Sequence, residues 1–147
     1  MNKLHSIIRG REVFSIKHDW TVIEAARYMS EKRVGAAAVL DGDQVVGVFS
    51  ERDLLARVVV AGKPADKTLV SEVMTRDVVV GHPDDTLEEG LLKMQQAKCR
   101  HLPIIRDGRL LNFISMRDLL QVEIEERDEE IKLMNEYLHS VPASIRQ

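Results

Sequence analysis

Two short stretches carry the residue types that could do chemistry: Ser50-x-Arg52-Asp53 and Ser115-x-Arg117-Asp118. Each follows an apolar run and precedes Leu-Leu, so a strand delivers a hydroxyl, a guanidinium and a carboxylate to the first turn of a helix. A carboxylate in that place can accept both vicinal hydroxyls of a ribose. The serine, one helical turn earlier, can bond the sugar or a first phosphate. The free N–H groups and positive dipole end of the helix, with full charge from Arg52 or Arg117, suit phosphate. The same Ser-x-x-Asp spacing also reads as a capping box, worth about 0.5–2 kcal/mol with no ligand at all. One residue can both cap and bind.

The two aspartates lie 65 positions apart, and at that offset, without a gap, other residues align. Ser6 lies over Ser71, Arg11 over Arg76, Val13 over Val78, Asp19 over Asp84, Thr21 over Thr86, Glu24 over Glu89 and Met29 over Met94. One unit is written twice, and two copies are too few for a solenoid, so they read as halves of one globular body. In the first copy the pattern predicts a short strand over Val13–Ile16. A helix capped by Asp19 or Thr21 follows, with Val22, Ala25, Ala26 and Met29 on one buried stripe. Strands over Ala36–Leu40 and Gln44–Ser50 meet at an Asp41-Gly42-Asp43 turn, and a helix runs over Glu51–Val60. A glycine- and proline-marked linker at 61–66 leads to the second copy. There the pattern predicts a turn of helix over Leu69–Met74, a strand over Val78–Val80 and a helix opened by Pro83 and Thr86. Strands over Leu102–Ile105 and Leu110–Ser115 precede a last helix that overruns its counterpart, with Ile124, Ile131 and Leu138 every seven residues. The tail Pro142–Gln147 is expected to fray. The fold class is α+β: two β-α-β-β-α repeats, residues 6–62 and 71–121, with pseudo-twofold symmetry, and a C-terminal helical extension over 122–147.

Composition narrows the function. Of 147 residues, 44% are hydrophobic and 31% charged, which suits one body with a shared core. A net charge of -3, with scattered basic residues and 4% aromatics, argues against a nucleic-acid surface. Cys99 is the single cysteine, so no intramolecular disulfide forms, and a reducing, cytoplasmic location is expected. No apolar run is long enough to span a bilayer, and the first residues lack the apolar core of a signal peptide. The five histidines share no ligand spacing, so no metal site is expected.

A gapless duplicated β-α-β-β-α unit with a strand-Ser-x-Arg-Asp-Leu-Leu junction resembles the CBS domain, and two in tandem resemble a CBS pair, or Bateman module. The second copy adds Cys99-Arg100-His101-Leu102-Pro103-Ile104-Ile105, close to the family's basic-His-Leu-Pro strand start. No one motif is specific; their order, spacing and duplication carry the likeness, over roughly residues 6–121. The resemblance implies a regulatory rather than catalytic protein, with two clefts for adenosine-containing ligands: AMP, ADP, ATP, S-adenosylmethionine or NAD. It also implies that two modules pair into a homodimer. Each cleft would mix the copies. One would set Ser50, Arg52 and Asp53 against Thr75, Val79, Val80, Cys99, Arg100, His101 and Pro103. The other would set Ser115, Arg117 and Asp118 against Val13, Phe14, Val34, Gly35, Ala36 and Ala37.

The sequence departs from the family's pattern in two places. Gly47 in the first copy is Asn112 in the second, and Gly35-Ala36-Ala37-Ala38 replaces the basic-His-Leu-Pro start. The Asp53 cleft, facing Arg100 and His101, is therefore expected to favour more phosphate charge than the Asp118 cleft. The sequence reads as a stand-alone, homodimeric sensor of an adenine nucleotide that acts through a regulated protein. The alternative is a dimerisation scaffold with vestigial clefts. An enzyme is disfavoured, because no paired acids, metal site or activated nucleophile accompany the motifs.

Overall fold

The computed structural model describes residues 2–140, so the tail over 142–147 lies outside the described residues. Thr21 and Thr86 each cap a helix of the same length, α2 (Val22–Lys32) and α5 (Leu87–Ala97), by accepting the N–H of Glu24 and Glu89. In α2, Val22, Ala25 and Met29 are buried, and Leu87, Gly90 and Met94 are buried in α5, while Ala26 is only half-buried. Both helices end on a basic residue in the left-handed region, Arg33 at φ 57° and Lys98 at φ 55°, whose N–H returns to carbonyls of the last turn. The duplication in sequence is thus a duplication of caps at both ends.

Five strands form one sheet in the order β1-β2-β3-β5-β4. These are β1 (Ser15–Lys17), β2 (Ala36–Asp41), β3 (Gln44–Ser50), β4 (His101–Arg106) and β5 (Arg109–Ser115). Strand β1 pairs parallel with β2, and β2–β3 and β4–β5 are antiparallel hairpins with matching bulges, at Val39/Leu40 and Ile104/Ile105. The hairpins join only through Gln44 opposite Arg109. Ala36, Ala38 and Phe113 close the seam between them, with Val48 and Leu110 packed on it. Two strand expectations change. The first strand is Ser15–Lys17 rather than Val13–Ile16. Residues 78–80 form no strand: their copy of β1 shrinks to one parallel bridge, Gly81 to Ile104, made by Gly81 N–H to Pro103 O and Ile105 N–H to Gly81 O. A three-residue edge strand holds few ladder bonds, so a small shift in the lead segment removes it.

The lead helices cross over. Helix α1 (Leu4–Ile8) docks on the second copy: Leu4 N–H donates to Asp85 O, His5 N–H to Pro83 O, and Leu4 is fully buried among Leu87, Met94, Leu102 and Leu119. Its counterpart α4 (Val70–Val73) puts Val70 and Val73 into the first copy's core with Ile16, Met29, Phe49 and Val58. Each core is completed by the other copy's lead, which binds the halves into one body.

The second helices differ. Residues Glu51–Asp53 form one α-turn (α3), and Leu54–Val59 widen into a π-helix, in place of the regular helix expected to Val60. The second copy continues as a regular helix, α6 (Met116–Ser140), whose residues from Ile124 onward are exposed.

Candidate functional site

Both Ser-x-x-Asp motifs form capping boxes. Ser50 N–H donates to Asp53 Oδ2 at 3.0 Å, and Asp53 N–H donates to Ser50 Oγ at 3.2 Å. The second copy repeats this, Ser115 N–H to Asp118 Oδ2 at 2.9 Å and Asp118 N–H to Ser115 Oγ at 3.0 Å. The junction forms because β3 and β5 end on an extended residue whose side chain takes over the helix's first donors.

Beside the first junction lies a cavity of about 480 Å³. Ser50, Arg52 and Asp53 of the first copy line it together with Thr75, Val79, Cys99, Arg100 and His101 of the second. Gly35 and Ala36, expected opposite Asp118, line this cavity as well, because the start of β2 sits at the seam. Val80 and Pro103 do not line it. Val80 is exposed, and Pro103 is buried within β4 opposite Phe113. Glu51, Asp77 and Lys98 also face the cavity, so its rim carries both signs of charge.

Asp53 is nearly buried and heavily engaged. Its Oδ2 also accepts from Ser50 Oγ at 3.1 Å, and its Oδ1 accepts the Thr75 hydroxyl at 3.0 Å. The Arg57 guanidinium Nε lies 3.7 Å away. Arg57 Nη1 donates to Met74 O at 2.9 Å and to Val73 O at 3.4 Å, so it ties the wide turn to the segment carrying Thr75. Sequence reasoning passed over Arg57. Its signal is the offset itself, since Val122 stands at the matching position. Thr75 is set in place by its backbone, which exchanges two 2.9 Å hydrogen bonds with Val48. Gly47 makes this close approach possible: a Cβ there would lie 2.7 Å from Thr75 O.

His101 stacks on Phe113 with ring centroids 5.3 Å apart and planes 3° from parallel. Burial pushes the imidazole below its ordinary pKa, against the pull of Asp118 and Glu51, so it faces the cavity as a neutral ring.

The second junction is built differently. Arg11 Nη2 lies 2.9 Å from Asp118 Oδ1, and Asn112 Nδ2 donates to Arg11 O at 3.4 Å. Burial works to raise the Asp118 carboxyl, but the Ser115 N–H and the Arg11 guanidinium outweigh it and hold the group below its usual range. Val13 is exposed, Phe14, Val34 and Gly35 are half-buried, Ala36 and Ala37 are buried strand residues, and Arg117 is exposed. Arg11 was legible only as the residue lying over Arg76.

Among the described residues, no group of three or more His, Cys, Asp or Glu side chains could hold a metal ion, and no helix is long and apolar enough to cross a membrane.

The comparisons agree with this architecture. The CBS domain family matches the chain twice, at residues 8–60 and 70–125. The CBS domain-containing protein CBSCBSPB3 of Arabidopsis thaliana is 33% identical over 77% of this chain, which spans 20% of that protein's length. The CBS-domain containing protein ATU1752 from Agrobacterium tumefaciens superposes with a TM-score of 0.75 at 30% identity, covering 83% of this chain and 99% of that one. The CBS domain protein PAE2072 from Pyrobaculum aerophilum, solved in complex with AMP, shares the fold with a TM-score of 0.72 at 24% identity, over 80% and 89% of the two chains. Two copies of one unit, each ending a hairpin in the same capped Ser-x-x-Asp turn and each matched by the same family, make this chain a tandem pair belonging to the CBS domain family.

Proposed function

We propose that the chain is a regulatory module that binds an adenosine-containing nucleotide in the Asp53 cleft and passes the bound state to a partner chain. The observation that carries this reading is the cavity itself. It is large enough for a nucleotide, and it gathers three carboxylates, two hydroxyls, two guanidiniums, a lysine and a flat neutral ring from both copies. Asp53 Oδ1 and the Thr75 hydroxyl form a pair that can share hydrogen bonds with vicinal ribose hydroxyls. Arg52 and Arg100 offer forked donors to phosphate. The AMP complex of the Pyrobaculum protein supports the ligand class. Because the wall residues come from both copies, a ligand would favour one arrangement of the halves, which is what a signal requires.

A second reading, an interaction scaffold with vestigial clefts, draws on the engagement of Asp53, whose oxygens already accept three hydrogen bonds. A thermal-shift panel of AMP, ADP, ATP, NAD, NADH and S-adenosylmethionine separates the two. At ligand about 100-fold above its dissociation constant, stabilisation of roughly 2.7 kcal/mol is expected. A flat response across the panel, on protein freed of purified-in ligand, selects the scaffold.

In either reading the module acts as a homodimer. The exposed apolar side chains Leu55 and Val59 of the first copy stand at the positions of Leu120 and Ile124 in the second, so both copies leave an apolar face for a second chain.

A further inference from the structure

We propose that Arg11 sets the ligand preference of the Asp118 cleft. A ribose that takes Asp118 must release Arg11, and only a ligand with an anion beside that ribose gives the guanidinium a new partner. The inference rests on the adenosine-ligand reading above.

Asp118 Oδ2 is held by the Ser115 N–H at 2.9 Å, so Oδ1 is the oxygen left for a diol, and Arg11 Nη2 occupies it at 2.9 Å. The side chains are 39% and 29% exposed, which places the pair at the rim, where a ligand can reach it. In the Asp53 cleft the matching oxygen accepts the Thr75 hydroxyl at 3.0 Å, with the Arg57 guanidinium farther off at 3.7 Å, and that hydroxyl can rotate and share its bond with an incoming hydroxyl. The counterpart of Arg11 there, Arg76, turns away and donates to Ser71 O at 2.9 Å.

Two differences between the copies go with this contrast, Gly47 against Asn112 and Thr75 against Gly10. Gly47 lets Thr75 pair with Val48 through the backbone. Asn112 instead turns Oδ1 onto the Phe113 N–H at 2.8 Å and extends Nδ2 toward Arg11 O. Gly10, at the threonine's place, offers no hydroxyl, and the arginine side chain reaches the carboxylate. A neutral nucleoside therefore strips a charge-assisted bond from Arg11 and returns nothing. A nucleotide can exchange carboxylate for phosphate, for which the planar fork is equally suited.

The test isolates this cleft with Asp53→Asn in the full chain, then titrates adenosine and AMP by calorimetry with and without Arg11→Ala. Arg11→Ala should tighten adenosine and weaken AMP, so that the preference for AMP falls by about tenfold or more, a change of about 1.4 kcal/mol. Arg11→Lys, which keeps the charge without the fork, should retain part of the preference. Equal changes for both ligands, or no change, would overturn the proposal. Binding by the wild type but not by Asp53→Asn would also overturn it, while leaving the nucleotide reading intact on the Asp53 cleft. No binding by the wild type overturns the nucleotide reading, and this proposal with it. If Asp53→Asn does not fold, the Arg11 Nε–H resonance of the wild-type chain reads the same exchange. It should move differently with AMP than with adenosine, and an identical response to the two would overturn the exchange.

Discussion

At the scale of residues, the two motif aspartates do structural work before any ligand arrives, and they do it unequally. Asp53 accepts the Ser50 N–H, the Ser50 hydroxyl and the Thr75 hydroxyl in a nearly buried setting. Removing it leaves three half-buried donors without their acceptor, which costs about 1–3 kcal/mol. Asp118 is more exposed, and its loss ends one cap and one rim ion pair, about 0.5–2 kcal/mol. Urea unfolding of Asp53→Ala should therefore show the larger loss of stability, whereas the motif read alone suggests two equivalent sites. Equal losses would mean that the Thr75 contact adds nothing. The serines, arginines and aspartates were legible because strand, hydroxyl and acid recur in one order. Arg11 was not, because its ion pair with Asp118 spans the copies, and although Arg57 stands four residues after Asp53, its bonds to the Val73 and Met74 carbonyls also cross them, at a distance that no local spacing encodes.

At the scale of elements, α6 leaves the body and keeps an apolar edge. Leu120, Ile124, Ile131, Met134 and Leu138 are exposed along one line in alternating steps of about three and four residues, interrupted by Arg127, which pairs with Glu123. An exposed apolar line of this kind is left for a partner surface. We expect a second copy to supply it. Light scattering at micromolar concentration should find a dimer, and Ile131→Glu, which sets a carboxylate on the line, should shift the chain toward monomer. A monomeric wild type, with or without nucleotide, would count against the pairing. The seven-residue recurrence of Ile124, Ile131 and Leu138 was visible in the sequence. That the edge stays uncovered by the chain's own body was not.

At the scale of the whole molecule, the crossed lead helices make the halves interdependent. Leu4 is fully buried in the core that α5, β4, β5 and α6 build, although it stands at the far end of the chain from them. Leu4→Ala should lower stability by about 2–5 kcal/mol. Because α4 reciprocates in the other core, denaturation followed by circular dichroism and by Trp20 fluorescence should give one coincident transition in both proteins. Two separated transitions would show that the copies fold as independent units.

Local chemistry settled much of this in the sequence by itself. Threonine caps at 21 and 86, apolar stripes at helical spacing, hairpin turns at Gly42 and Gly108 and the repeated Ser-x-x-Asp junction are short-range choices. Each bond of this kind closes within about four residues. Tertiary structure decided the rest. It exchanged the lead helices between cores, reduced the strand expected at 78–80 to a single bridge, and widened the turn after Asp53 into a π-helix. It also turned a few differences between the copies, Gly47 against Asn112 and Thr75 against Gly10, into unlike surroundings for the two motif aspartates. The copies align without a gap at an offset of 65, yet Thr75 reaches one carboxylate and, where Gly10 stands in its place, Arg11 reaches the other. The reason is steric. Whether a backbone can approach a strand depends on the side chain it meets there, and that neighbour is assigned only when the halves pack.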